Sequence, residues 1–232
     1  METLIVGFGF KARNGKDTAV QAILDARREK FDVRRYSFAS ALKREVTEAA
    51  DKCGGMLGLI TRLQLGGVIP ELGFRLPNGL PLWVTYEPDA TVDAENPYGK
   101  QRTLLQWWGT ELRRKTDPFY WVKALDKRLK AESPQVALIS DVRFLNEVFW
   151  VKHYAGDTVK VVRYGYEDIL ASSHASEHEL ENYLFDYEIS VLDGEVAQLK
   201  KDAVTVFDLI IEERTLPKYK PEDFEQSEAP TS

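Results

Sequence analysis

The segment Gly9-Phe10-Lys11-Ala12-Arg13-Asn14-Gly15-Lys16-Asp17-Thr18 carries the densest chemistry in the chain. It follows a short apolar run centred on Leu4, Ile5 and Val6 and precedes a helical pattern. A glycine-containing turn between a buried strand and a helix is the place for a phosphate loop. Free backbone N–H groups at the helix start point at an anion, and the helix dipole favours its negative charge. Gly15 permits close approach of the backbone, and Lys16 supplies a point charge for phosphate oxygens. Against the standard G-x-x-x-x-G-K-[ST] pattern there are two offsets. Phe10 stands where the first glycine falls, with Gly9 one place early, and Asp17 stands where Ser or Thr falls, with Thr18 next. The plain alternative is a strand–turn–helix with exposed basic residues.

A second signature is the apolar run 136–140 ending in Asp141, with Arg143 two residues on. An acid there holds Mg²⁺ directly or through water when a phosphate loop lies beside it, and the arginine faces a phosphate. The plain alternative is an Asp capping the helix that follows. A third is Arg102, Gln106, Gly109-Thr110 and Arg113, which share one face at helical spacing. An amide, a hydroxyl, a glycine gap and guanidiniums suit a nucleobase edge and a phosphate, although a solvated stripe has the same spacing.

These residues need a frame. Short strands are expected over 3–9, 34–37, 136–140, 158–163 and 187–192. Helices are expected from about Asp17, over 38–52 and 101–115, from the Asp117-Pro118 cap, and over 142–154 and 195–213. Strands alternating with helices predict an α/β fold, a parallel sheet flanked by helices on both faces. Ligands of such sheets lie at the carboxyl ends of the strands. Residues 54–99 are rich in Gly and Pro and read as an irregular excursion, with 80–86 extended. Residues 216–232 are acidic and read as a mobile tail.

Composition excludes several classes. The 232 residues are 44% apolar and 29% charged, which supports one globular domain. A net charge of −6 argues against a nucleic-acid coat, which needs clustered Lys and Arg. A lone cysteine, Cys53, excludes an internal disulfide and suits a reducing cytoplasm. The apolar run 4–10 is too short for a membrane span or a signal segment.

In order, Asn14-Gly15-Lys16-Asp17-Thr18, Phe38-Ala39 with Leu42-Lys43, Leu104-Leu105-Gln106 with Gly109-Thr110-Glu111, Tyr120-Trp121-Val122, Asp141-Val142-Arg143-Phe144 with Asn146-Glu147, and His174-Ala175-Ser176-Glu177 resemble the bacteriophage deoxynucleoside monophosphate kinases. The resemblance runs from about Leu4 to Leu199. It implies a P-loop nucleoside-monophosphate-kinase fold in a single domain, 1–215, with a monophosphate-binding excursion at about 54–115 and a lid at about 164–183. It implies ATP as donor with Mg²⁺, held by Asp17 and Asp141, and small nucleotides as partners in the cytoplasm, that of the host if the chain is phage-encoded. A homodimer stays open. Lys16 would hold the donor phosphates, with Arg13, Asn14, Gly15, Asp17 and Thr18 shaping the loop. Lys43, Gln106, Thr110, Arg113 and Trp121 would face the acceptor. Arg143 would bridge acceptor and transferred phosphate, and Arg163 would join on lid closure. Two departures from the family are Phe10, where many relatives have glycine, and Leu192-Asp193-Gly194 in place of Asn-Asp-Gly.

Two rivals remain. A dephospho-coenzyme A kinase is the nearer, but the acid it needs at the second strand end is replaced by Ser37-Phe38-Ala39. The other is a zinc metallopeptidase, because His174, Glu177 and His178 fit H-x-x-E-H. Ser176 with Glu179 gives the same stretch a plain reading as a capping box.

Overall fold

The computed structural model describes residues 3–76, 78–165 and 178–215. In chain order the elements are β1 (Leu4–Gly9), α1 (Lys16–Arg27), β2 (Val33–Tyr36), α2 (Phe38–Lys52), α3 (Met56–Leu65), β3 (Gly67–Ile69), β4 (Phe74–Leu76), α4 (Arg102–Gln106), a π-helix (Trp107–Arg114), α5 (Tyr120–Glu132), β5 (Val136–Val142), α6 (Leu145–His153), β6 (Asp157–Tyr164), β7 (Tyr187–Leu192) and α7 (Val196–Thr215). Five strands form a parallel sheet in the order β2-β5-β1-β6-β7. β3 and β4 form a separate antiparallel hairpin.

The sheet is buried on both faces, as parallel sheets are. Alternation along the strands divides the core. Ile5, Ala137 and Ile139 pack with α2, α5 and α6 on one side. Val6, Phe8, Val136 and Leu138 pack with α1 and α7 on the other. β1 lies between β5 and β6, so the carboxyl ends of three adjacent strands carry the loop 10–15, Asp141 with Arg143, and Arg163. Among the described residues β2 and β7 are the edge strands. β2 is only four residues long and has two exposed arginines at its centre.

Some expected elements shift. Residues 54–99 are not irregular throughout, for they contain α3 and the hairpin. Gly54, Gly55 and Gly58 blur the start of α3, and Leu57 and Leu65 are exposed while Leu59, Ile60 and Leu63 are buried, so its apolar residues show no single stripe. The stretch 80–86 is not a strand; Val84 N–H closes a turn on the Pro81 carbonyl at 3.0 Å. The helix expected from Asp117-Pro118 begins at Tyr120, because the Asp117 carboxylate is spent on a tight turn, accepting from Phe119 N–H at 3.1 Å. Val142 belongs to β5, and α6 starts at Leu145. The expected tail at 216–232 and most of the expected lid lie outside the described residues.

Beyond β6 the chain is anchored by Asp186, which enters β7. Its carboxylate accepts from Thr158 N–H and from the Thr158 hydroxyl, both at 2.7 Å, and pairs with Lys152. Burial alone would raise the Asp186 pKa, but Lys152 and Thr158 outweigh it and hold the carboxyl below its ordinary value. A depressed carboxylate adds stability above its unfolded pKa and loses it as pH falls through the folded value. Asp186→Asn should therefore destabilise the fold by about 1–3 kcal/mol near neutrality. The difference from the parent should shrink as pH falls below roughly 4, as read by urea unfolding near neutrality and in steps below that pH.

Candidate nucleotide-binding site

The loop after β1 is held in a conformation that most residues avoid. Phe10 and Arg13 have φ of 91° and 58°, and Gly15 has φ of 92°. Positive φ is free for glycine but strains a bulky residue by about 1–3 kcal/mol. Phe10 thus takes a glycine-like backbone at the first-glycine place. Gly15 has a further reason to be glycine: a Cβ there would stand 2.5 Å from Leu199 on α7. Asn14 is buried and stitches the loop to β6, its carbonyl accepting from Arg163 N–H at 3.1 Å. Lys16 is buried too, and its ammonium donates to the Phe10 carbonyl at 3.1 Å and to that of Lys11. The lysine therefore lies folded into its own loop, on acceptors that a phosphate can replace.

At the end of β5 the register with β1 slips. Gly7 pairs with Ile139 and Gly9 with Val142, so β5 has one extra residue across Ser140-Asp141. Such bulges re-aim side chains. Asp141 is turned onto the start of α2, accepting from the Ser37 hydroxyl at 2.7 Å and from the N–H groups of Phe38 and Ala39 at 2.9 Å. It caps α2, a helix distant in sequence, rather than the helix that follows it.

The stripe at 102–113 is wound unevenly. α4 opens as an ordinary helix and then widens at Trp107–Arg114, where Lys115 N–H reaches back five residues to Thr110 at 3.0 Å. Trp107 and Trp108 are buried. Trp121 Nε1 donates to the Gly109 carbonyl at 3.0 Å. In a helix of 3.6 residues per turn, Arg113 and Arg114 straddle the face that Gln106 and Thr110 share. In the wider π turn Arg114 falls on that face and Arg113 lies behind it.

Arg114 pairs with Glu147, and both are largely buried. Glu147 also accepts from the N–H groups of Arg143 at 2.8 Å and Phe144 at 3.1 Å, which fixes the turn from β5 into α6. Burial pushes the Glu147 carboxyl up to about 7, with Arg114 opposing the rise and Asp141 adding to it.

Most of these groups open on one cavity of about 610 Å³. Its lining includes Arg13, Gly15, Lys16, Asp17, Thr18, Lys43, Gln106, Thr110, Trp121, Asp141, Arg143 and Arg163, each expected from the sequence. Asn14 and Arg113 are not in the lining. Asn14 braces the loop, and Arg113 pairs with Glu45 and stacks on Tyr120, its guanidinium 5.0 Å from the ring centre. Arg35, Glu95, Lys100, Arg114 and Glu147 also line the cavity and had no assigned role. Arg35 pairs with the exposed Asp17. Glu95, from the excursion, pairs with Lys43, which holds its carboxyl below the ordinary range. The one sequence signal for Arg35 was a pair of cations in a strand; for Arg114 there was none, because an α-helical wheel favours Arg113.

Charge separates the cavity from the rest of the molecule. Its cations are Arg13, Lys16, Arg35, Lys43, Lys100, Arg102, Arg114, Arg143 and Arg163, and its acids are Asp17, Glu95, Asp141 and Glu147. A chain that is acidic overall has gathered a cationic hollow. Lys100 registers the crowding, held below its ordinary pKa by burial and by Lys43, Arg102 and Arg143. An anion of several charges is the ligand such a hollow suits.

Other expectations fall elsewhere. Two aromatics of the 54–99 stretch, Trp83 and Tyr86, are exposed and do not line the cavity. His174 and Glu177 lie outside the described residues, and His178 contacts Glu181 at 3.1 Å. Among the described residues no three His, Cys, Asp or Glu gather as a metal cluster, and no helix is long and apolar enough to cross a membrane.

No family profile matches the chain. It is similar to the deoxynucleoside-5'-monophosphate kinase of Escherichia phage T5, 25% identical over 246 aligned positions that span 90% of this chain and 98% of that protein.

Arg114 neutralises a buried acid, so Arg114→Met should destabilise the protein by about 3–5 kcal/mol. A carboxyl with a raised folded pKa contributes stability below its unfolded value and loses it as pH rises through the folded one. The loss in Arg114→Met should accordingly grow from pH 6 to pH 8, across the Glu147 value of about 7. Arg114→Met with Glu147→Gln should recover most of it in thermal melts.

Proposed function

We propose that the chain transfers the terminal phosphate of ATP to a deoxynucleoside monophosphate. The observation that carries this reading is one cationic cavity lined both by the loop around Lys16 and by the Gln106–Thr110 helix face, with Arg143 also in the lining. Likeness along most of the chain to a protein named as a deoxynucleoside-5'-monophosphate kinase supports it.

Phosphoryl transfer needs positioning and charge neutralisation more than covalent help. The donor phosphates take the place of the loop carbonyls on Lys16 and gather the N–H groups at the start of α1. The acceptor phosphate competes with Glu95 for Lys43, and Gln106 and Thr110 meet the base. Arg143 lies where the two phosphates meet, and Arg163 offsets charge on the transferred group. An acceptor phosphate oxygen attacks the terminal phosphorus in line, ADP leaves, and a deoxynucleoside diphosphate forms. The acceptor phosphate is already largely ionised near neutrality, so no side chain is assigned as a base.

The acids present fit Mg²⁺. It prefers one or two carboxylates, retained waters and substrate phosphates. Asp17 is exposed to the cavity, while three of the lone-pair sites of Asp141 are taken by α2. Asp17 would hold the ion and Asp141 would meet it through water. The ion supplies charge neutralisation between the phosphates.

ADP release measured across matched deoxy and ribo monophosphates tests the reading. At least two deoxynucleotides should be phosphorylated, each with higher kcat/KM than its ribose partner. Equal values within pairs remove the deoxy preference, and activity on none removes the kinase. Lys16→Ala should lower turnover by roughly a hundredfold or more in a protein that stays folded at the assay temperature. Arg143→Lys keeps the charge but loses the planar fork, and kcat/KM should fall by at least about tenfold.

A further inference from the structure

The widened helical turn beside the cavity is held from behind by a residue that does not touch the cavity. Glu45, on α2, accepts from Trp108 Nε1 at 2.9 Å and Arg113 Nε at 2.6 Å through one oxygen. Its other oxygen accepts from the Tyr120 hydroxyl at 2.9 Å. The three donors sit near the start of the π-helix, near its end, and at the first residue of α5. Tyr120 in turn carries Arg113 on its ring face and meets Trp121 edge-on at 4.7 Å. Trp121 closes the circuit by donating to the Gly109 carbonyl at 3.0 Å.

A π turn is rarer than an α turn because its geometry is poorer, and it persists where surrounding contacts over-determine it. Glu45 provides such contacts, and it does so by holding Arg113 on the far side of the helix. With Arg113 held back, Arg114 is the arginine that reaches the cavity and Glu147. If the segment tightened to an ordinary α-helix, Arg113 would swing to one edge of the face of Gln106 and Thr110, and Arg114 would turn from that face to its other edge.

We infer that Glu45 is a positioning residue: by anchoring Arg113, Trp108 and Tyr120 it keeps the 107–114 segment in π register and so selects Arg114, not Arg113, for the acceptor side of the cavity. This rests on the proposed kinase function for its catalytic readout only, since the register itself is a property of the ligand-free protein.

The test compares the parent with Glu45→Ala, Glu45→Gln and Arg113→Ala in two arms. The first arm is amide hydrogen exchange in the ligand-free protein. Glu45→Ala should speed exchange in 107–114 by at least about tenfold while leaving α1 and β1 unchanged, as expected when a locally over-determined segment is released. The second arm is steady-state kinetics well below the melting temperature. KM for the deoxynucleoside monophosphate should rise by roughly tenfold to a hundredfold, with KM for ATP nearly unchanged. Glu45→Gln keeps one oxygen for Trp108 and Arg113 and should restore much of both effects. Arg113→Ala should mimic Glu45→Ala, and the pair combined should be no worse than either alone. Unchanged exchange in 107–114, or an unchanged acceptor KM in an active Glu45→Ala enzyme, overturns the inference. A parent that turns over no nucleoside monophosphate overturns the kinase reading instead, and the exchange arm still decides the role of Glu45.

Discussion

The site depends on a carboxylate that joins two elements distant in sequence. Asp141 leaves the sheet at a bulge in β5 and takes the hydroxyl of Ser37 and the first two N–H groups of α2. A helix start presents unpaired donors and a positive dipole end, and a carboxylate satisfies both. That cap fixes where α2 sits over the sheet. α2 carries Lys43 into the cavity and Glu45 under the π turn. Two residues past Asp141, Arg143 is held by Glu147 through its backbone N–H. One acid thus sets the spacing between the strand ends that line the cavity and the helix that carries Lys43 into it.

The balance of charge follows from this layout. Cations converge from the loop after β1, from α2, from the π segment and from the ends of β5 and β6. Such crowding is costly unless acids are interleaved, and they are: Asp17 with Arg35, Glu95 with Lys43, Glu147 with Arg114. The first two pairs are partly exposed and easily exchanged for a ligand. The third is buried and is part of the scaffold. Ligand binding on this plan replaces surface pairs and leaves the buried one in place.

Much of this was legible in the sequence where local pattern and chemistry agree. The parallel order, the turn between β1 and α1 and the strand that carries Asp141 follow from apolar runs next to glycine and charge. All but two of the expected site residues open on the one cavity. The failures have physical causes. Arg113 was chosen over Arg114 because 3.6-residue periodicity was assumed, and tertiary contacts from Glu45 and Trp121 widen the turn. α3 was missed because its apolar residues face both core and surface. Asp141 also caps a helix that begins at position 38 rather than the one that follows it, a partner that no local window includes.

The short second strand has a bearing on how copies of this chain meet one another. A strand at a sheet margin offers a row of unpaired backbone groups to any passing chain. β2 sets Arg34 and Arg35 in the middle of that row. Docking a foreign strand there would strip water from two guanidiniums, which blunts the margin against aggregation. Arg34 is occupied with Asp32 and Glu132, but Arg35 also lines the cavity. The side chain that guards the sheet margin is therefore also a wall of the cavity, so replacing Arg35 would alter both surfaces at once.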